Sequence, residues 1–275
     1  MSRPLDPSTA SRALRGGPAL DVRDERAFLA GHLAGSGHLP LAELEARRSE
    51  LPSRPLAPLV VAGDAAAARA AAEQLESMGY ADVAYLDAPI DALEGGRADR
   101  SPPVRLWRPS PFLEQVIDAI PRGRALDLAS GAGREAVYLA LHGFEVEAWD
   151  HDRDVLARAG ALAARHGVSI TTVQRNLERR SPDLPDGRHE LVTVFRFLHR
   201  PLLPHIARAV APGGFLVYET FRRGQERYGR PRHPRFLLDP GELRTVFPGL
   251  VVERYEEVDP EGGPVMARLL ARRPT

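Results

Sequence analysis

Ala125-Leu126-Asp127-Leu128-Ala129-Ser130-Gly131-Ala132-Gly133-Arg134 is a short apolar run that breaks into a turn holding two glycines. The amphipathic stretch Glu135-Ala136-Val137-Tyr138-Leu139-Ala140-Leu141 follows, so the segment predicts a strand, a tight turn and a helix. Glycine lets the backbone approach a ligand closely, and the first N–H groups of a helix have no partner within it. A second predicted strand, Phe144-Glu145-Val146-Glu147-Ala148-Trp149, ends on Asp150. An acid roughly 20 residues beyond the first strand, at the tip of the next one, is placed to accept hydrogen bonds from a ribose diol. Together these features predict a nucleoside-containing cofactor at the carboxyl edge of a parallel sheet.

The glycine pattern narrows the cofactor only partly. A dinucleotide turn uses three small residues in G-x-G-x-x-G, and Ala136 is an acceptable third after Gly131 and Gly133. Asp127 discriminates better, because a carboxylate beside the turn repels a pyrophosphate and suits a cofactor bearing an ammonium group. S-adenosylmethionine bears one.

On these residues the chain resembles the class I S-adenosylmethionine-dependent methyltransferases over about residues 104–275. The family's acid-x-Gly/Ala-x-Gly-x-Gly run is matched by Asp127, Ala129, Gly131 and Gly133, with Ser130 inside it, and its ribose acid by Asp150. His151 follows where the family often packs a side chain on the adenine. Asn176-Leu177 falls at the adenine-amino contact, where an Asp is common, so Asn176 departs from the pattern. Glu190-Leu191-Val192-Thr193-Val194-Phe195-Arg196-Phe197 corresponds to the strand lining the transfer site, and Ala211-Pro212-Gly213-Gly214 to the turn into the fifth strand. The resemblance implies a seven-stranded, Rossmann-like α/β sheet and S-adenosyl-L-methionine as cofactor. It also implies cofactor-binding roles for Asp127, Ala129, Ser130, Gly131, Gly133, Asp150, His151, Asn176, Leu177 and Phe195.

Composition removes several chemistries. The chain has 275 residues, room for two ordinary domains, and equal numbers of basic and acidic residues. Every basic residue other than histidine is Arg, so lysine Schiff bases and a P-loop lysine are absent. No cysteine is present, which excludes disulfides, thiolate metal sites and cysteine nucleophiles; no metal is expected. The amino-terminal residues lack the apolar core of a signal peptide, and no run approaches the ~20 apolar residues of a membrane span. A cytoplasmic protein with no membrane partner is the expectation.

The first 95 residues predict a small α/β domain of their own. Pro18-Ala19-Leu20-Asp21-Val22, Leu59-Val60-Val61-Ala62 and Asp82-Val83-Ala84-Tyr85-Leu86 read as strands. Helices are expected over 23–30, 41–51 and 65–78, the last capped by Asp64 and stopped by Gly79. Asp21-Val22-Arg23, Gly31-His32 before Leu39-Pro40, and Gly79-Tyr80 before Val83 make this half similar to rhodanese-like domains. The resemblance places the sulfur-carrying loop near Gly63, but Ala62-Gly63-Asp64-Ala65-Ala66 holds no cysteine, so sulfur transfer through a cysteine persulfide is excluded. A packing or homodimerisation module and a docking site both remain open for this domain. Residues 96–103, with their glycine, charges and paired prolines, read as a linker to the domain at 104–275.

Methyl transfer needs an aligned nucleophile and exclusion of water more than it needs particular side chains. Trp107 and Phe112 are candidate walls of the site. Arg196, inside an otherwise apolar strand, is expected either to pair with an acid or to bind an anion. His199 is a candidate base, and Glu219, at the end of the fifth strand, is the leading base or substrate-orienting group. The loop 222–238 carries Arg222, Arg223, Arg227, Arg230, Arg232, His233 and Arg235 among Tyr228 and Phe236, with only Glu226 and Asp239 as nearby acids in sequence. It reads as a lid over a small anionic molecule, in preference to an RNA clamp, because no RNA-binding module is appended. Residues 251–255 and 265–271 predict a closing antiparallel hairpin. The leading reading is therefore a methyltransferase for a small molecule. A cofactor-binding sensor without turnover and an RNA methyltransferase are the alternatives.

Overall fold

Apolar strands and amphipathic helices alternate along the chain, and the strands pair into two separate sheets. The computed structural model describes residues 2–14, 19–53, 59–93, 96–179 and 184–275. The chain divides into two units, Met1–Arg108 and Pro109–Thr275.

In the first unit the elements are β1 (Arg3–Leu5), α1 (Pro7–Ala13), β2 (Ala19–Asp21), α2 (Glu25–Leu29), β3 (Ser36–His38), β4 (Leu59–Ala62), α3 (Ala65–Ser77) and β5 (Val83–Leu86). The sheet order is β1-β5-β4-β2-β3, and every pairing is parallel. All four residues of β4 and of β5 are buried, as expected of a parallel sheet covered on both faces. α3 packs one stripe, Ala68, Ala71, Ala72 and Leu75, into the core at helical spacing.

Several expectations for this unit are corrected. The stretch 41–51 forms no continuous helix; it makes two 3-10 turns, Leu41–Glu43 and Arg48–Glu50. Arg47 between them binds Glu43 at 2.9 Å and Glu50 at 2.7 Å, which folds the segment on itself while Leu44 and Leu51 stay buried. β1 and α1 were not foreseen: Asp6 caps α1 by accepting from the N–H groups of Ser8 and Thr9. Asp64 precedes α3, but its side chain makes no capping hydrogen bond. Within 96–103, Asp99 exchanges backbone hydrogen bonds with His32 at 3.0 and 3.1 Å.

The second unit comprises α4 (Pro111–Val116), β6 (Arg124–Leu128), α5 (Arg134–Leu141), β7 (Glu145–Asp150), α6 (Arg153–Arg165), β8 (Thr171–Gln174), β9 (His189–Phe195), α7 (Leu203–Ala209), β10 (Val210–Phe221), α8 (Glu242–Thr245), β11 (Val251–Val258) and β12 (Met266–Arg272). Its seven-stranded sheet runs β11-β12-β10-β9-β6-β7-β8. Pairing is parallel from β10 to β8, and the hairpin β11–β12 closes the other edge antiparallel. The chain builds outward from β6 to β8, then returns to lay β9 on the opposite side of β6. That reversal opens a crevice beyond the carboxyl ends of β6 and β9, where open α/β sheets hold ligands. A core containing Leu126, Leu128, Val192, Val194, Leu216 and Tyr218 fixes these strand ends in place.

Candidate active site

Five residues, Ala129 to Gly133, join β6 to α5, and three of them take left-handed backbone: Ala129 at φ +56°, Gly131 at +56° and Gly133 at +81°. The two glycines serve different ends. A Cβ on Gly133 would lie 2.6 Å from the Cβ of Ala159 on α6, so glycine here lets two helices approach. A Cβ on Gly131 would meet nothing within 4 Å; it would project into open space. The loop is tied to β7 by Ser130 N–H donating to Trp149 O at 3.0 Å and Gly131 N–H donating to Asp150 Oδ2 at 2.9 Å.

Asp150 ends β7 and is buried. Its Oδ1 accepts from Asp152 N–H at 3.0 Å and lies 3.0 Å from His151 Nδ1. Each carboxylate oxygen offers about two acceptor positions, so the group keeps capacity for a diol. His151 is exposed beside it. Asn176 Oδ1 accepts from Glu178 N–H at 2.9 Å, which occupies one end of its amide in a turn. The Leu177 side chain joins the hydrophobic core.

Asp127 is buried in β6, opposite Thr193 in β9, whose hydroxyl donates to Asp127 Oδ1 at 2.7 Å. Oδ2 of Asp127 and Oγ of Ser130 are buried with no hydrogen-bond partner. Burial, with the negative charge of Glu135 nearby, pushes the Asp127 carboxyl up to about 7. Glu135, in the first turn of α5, is itself shifted upward by burial, against the pull of Arg196.

Arg196 does not sit inside the strand. β9 ends at Phe195, which is buried, and Arg196 follows at φ +55° with an exposed side chain, its N–H donating to Glu219 O at 2.8 Å. The apolar run continues past the strand because Phe197 and Leu198 turn back onto the core. Glu219 is 3% exposed and accepts from Arg268 Nε on β12 at 2.7 Å. Phe112 is buried beneath Arg254 and Arg268, at 5.5 and 6.0 Å from its ring. Trp107 is likewise buried, in the first unit, under the guanidinium of Arg105.

Three participants escaped the sequence reading: Thr193, Glu135 and Arg268. Thr193 had a signal, being a hydroxyl in register with the motif acid. The loop 222–238 also needs correction, since Asp239 beside it and two acids distant in sequence, Glu257 and Asp259, neutralise part of it. Arg222 faces Glu257 at 3.5 Å, Arg227 binds Asp259 at 2.7 Å, and Arg223 pairs with Asp239. His199 and Arg235 instead line a cavity of about 400 Å³ together with Phe236. Among the described residues no cluster could hold a metal ion, and no helix is long and apolar enough to cross a membrane.

Comparison with known proteins agrees with this architecture. The family model of tellurite resistance protein TehB matches residues 110–257, and that of rhodanese-like domains matches 6–94. A ribosomal RNA small subunit methyltransferase B from Thermus thermophilus is 30% identical over 181 residues, covering 55% of this chain and 45% of that protein. A probable S-adenosyl-L-methionine-dependent methyltransferase TehB from Haemophilus influenzae is 30% identical over 98 residues, 34% of each chain. The chain thus spans less than half the length of these curated relatives. Among solved structures, a putative methyltransferase from Bacillus halodurans superposes with a TM-score of 0.50 at 18% identity, covering 61% of this chain and 100% of that one. The chain belongs to the tellurite resistance protein TehB family, a class I methyltransferase fold that follows a rhodanese-like domain in the sequence.

Proposed function

We propose that the second unit is an S-adenosylmethionine-dependent methyltransferase acting on a small molecule. The observation that carries this reading is the open space above Gly131, bounded by the buried Asp150 carboxylate and held by the 2.9 Å bond between them. The residues present suit the cofactor. Asp150 retains acceptor positions for a ribose diol, and the orphaned Oδ2 of Asp127 suits an ammonium group. When bound, S-adenosylmethionine supplies a methyl group on a sulfonium, already activated toward a nucleophile. The chain's task is then orientation and exclusion of water. Glu219, engaged by Arg268, fits an orienting role better than that of a free base. The names carried by the TehB relative and the ribosomal RNA enzyme support methyl transfer as the chemistry.

Calorimetric titration with S-adenosylhomocysteine tests the reading. The wild-type chain binds and Gly131→Val does not, because a branched side chain fills the space; a wild-type chain that fails to bind overturns it. The RNA alternative draws on the loop arginines, but acids engage Arg222, Arg223 and Arg227. Steep salt dependence of RNA affinity would restore it. For the first unit we infer no sulfur transfer: the chain has no cysteine, and only Gly63 and Asp64 separate β4 from α3.

A further inference from the structure

The arginines of the loop after β10 divide by partner. Arg222, Arg223 and Arg227 are taken up by acids, whereas Arg235 has no acid partner among the described residues. Its guanidinium carbon lies 4.3 Å from the centre of the Phe236 ring, a cation–π contact that favours this position. Arg235 and Phe236 form one wall of the 400 Å³ cavity; Leu198, His199 and Pro201, which follow β9, form another, and Glu178, beyond β8, is the one acid in the lining among the described residues. Arg200 also lines it but is saturated: Glu242 binds it at 2.6 and 2.8 Å, and it donates to Leu237 O at 2.9 Å. All these segments leave the carboxyl edge of the sheet, the edge that carries the Gly131 loop and Asp150.

We propose that this cavity is the acceptor pocket and that it takes a small aromatic monocarboxylate. The carboxylate rests on Arg235 and His199, and the ring lies against Leu198, Pro201 and Phe236. This assignment rests on the methyltransferase reading for the word acceptor, though not for the binding itself. Volume and lining argue for it together. A water occupies roughly 30 Å³ of liquid, so a bare inorganic oxyanion would leave most of the cavity, and all its apolar wall, unfilled. A neutral arene would fill the apolar wall and leave Arg235, which has no acid partner among the described residues, without a counter-charge. A carboxylate meets a planar guanidinium in paired, charge-assisted hydrogen bonds, and Arg235 is pre-positioned by its stack on Phe236. Glu178 sets the charge limit, since a second negative group on the ligand would meet a like charge.

The test titrates the full chain with 3,4-dihydroxybenzoate, with catechol and with 4,5-dihydroxyphthalate, each with and without saturating S-adenosylhomocysteine. Dihydroxybenzoate is expected to bind about tenfold more tightly than catechol, the scale of one charge-assisted pair. Arg235→Gln brings it down to the catechol level, and Glu178→Gln narrows the gap between mono- and dicarboxylate. Arg235 is exposed, so its replacement leaves the fold intact, and an unchanged thermal midpoint verifies this. Equal affinity for the acid and catechol, an acid affinity indifferent to Arg235, or no binding by any of the three overturns the proposal. Binding of the acid that depends on Arg235, in a chain that ignores S-adenosylhomocysteine, upholds the pocket and rejects the methyltransferase reading.

Discussion

Two strand-to-helix turns, one in each sheet, lead from a buried interior parallel strand into a helix. After β4 the chain crosses in two residues, Gly63 and Asp64, and α3 begins at once. After β6 it takes five, with left-handed backbone at Ala129, Gly131 and Gly133. The short turn has no spare residues to wrap around a ligand. The long one folds back on β7, presents Gly131 beside Asp150, and leaves space above. The same α/β architecture thus carries a long, open turn or a tight one according to three residues of loop and their φ angles.

The sharpest way to break that comparison is Gly133→Val. Left-handed backbone and a 2.6 Å contact with Ala159 combine strain and overpacking, with an expected cost of about 3–5 kcal/mol in urea unfolding. A loss below ~1 kcal/mol would show that α5 and α6 are not held by this approach. Asp150→Ala should weaken S-adenosylhomocysteine by about 1–3 kcal/mol in calorimetry, the scale of a charge-assisted bond. An unchanged dissociation constant removes Asp150 from the site.

Asp127 gives the longer turn a pH signature of its own. Its folded carboxyl sits at about 7 against an ordinary 3.8, so the folded chain holds that proton more tightly than the unfolded chain does. Stability from this group is full below pH ~4 and is lost as pH rises to ~7. An ammonium group beside Asp127 needs the ionised form, so cofactor affinity should rise about tenfold between pH 6 and 8. Asp127→Asn should flatten both profiles; slopes that persist in that variant assign them to another group. The smallest effect is Asp64→Ala, expected within ~0.5 kcal/mol of wild type, because the side chain caps nothing. A loss near 1 kcal/mol would mean that the shorter turn depends on its acid after all.

What was legible in the sequence follows local physics. The β6 turn, Asp150 and the final hairpin announce themselves through glycine spacing, strand-end acids and apolar alternation, all of which act within a few residues. Arg196 misled because an apolar run does not say where a strand stops; left-handed backbone after Phe195 ends it. Leucine spacing at 41–51 imitates a helix, but the bonds from Arg47 to Glu43 and Glu50 tighten it into two turns. Pairings between distant strands, Thr193 with Asp127 and Arg268 with Glu219, depend on register and could not be read from either segment alone. For the same reason the sequence grouped six arginines of which the fold gives three, Arg222, Arg223 and Arg227, to acids and one, Arg235, to a cavity.

The last of those pairings bears on the order in which the chain is made. Glu219 belongs to β10, while its counter-charge, Arg268, belongs to β12, which is inserted between β10 and β11. A nascent chain that has emerged only through α8 already holds the glycine turn, Asp127, Asp150 and the loop after β10. It still carries Glu219 without its counter-charge, on a strand edge that β12 has yet to cover. The cleft therefore cannot settle until translation delivers β12, and a ribosome-bound chain arrested before Met266 should leave this edge of the sheet open to protease.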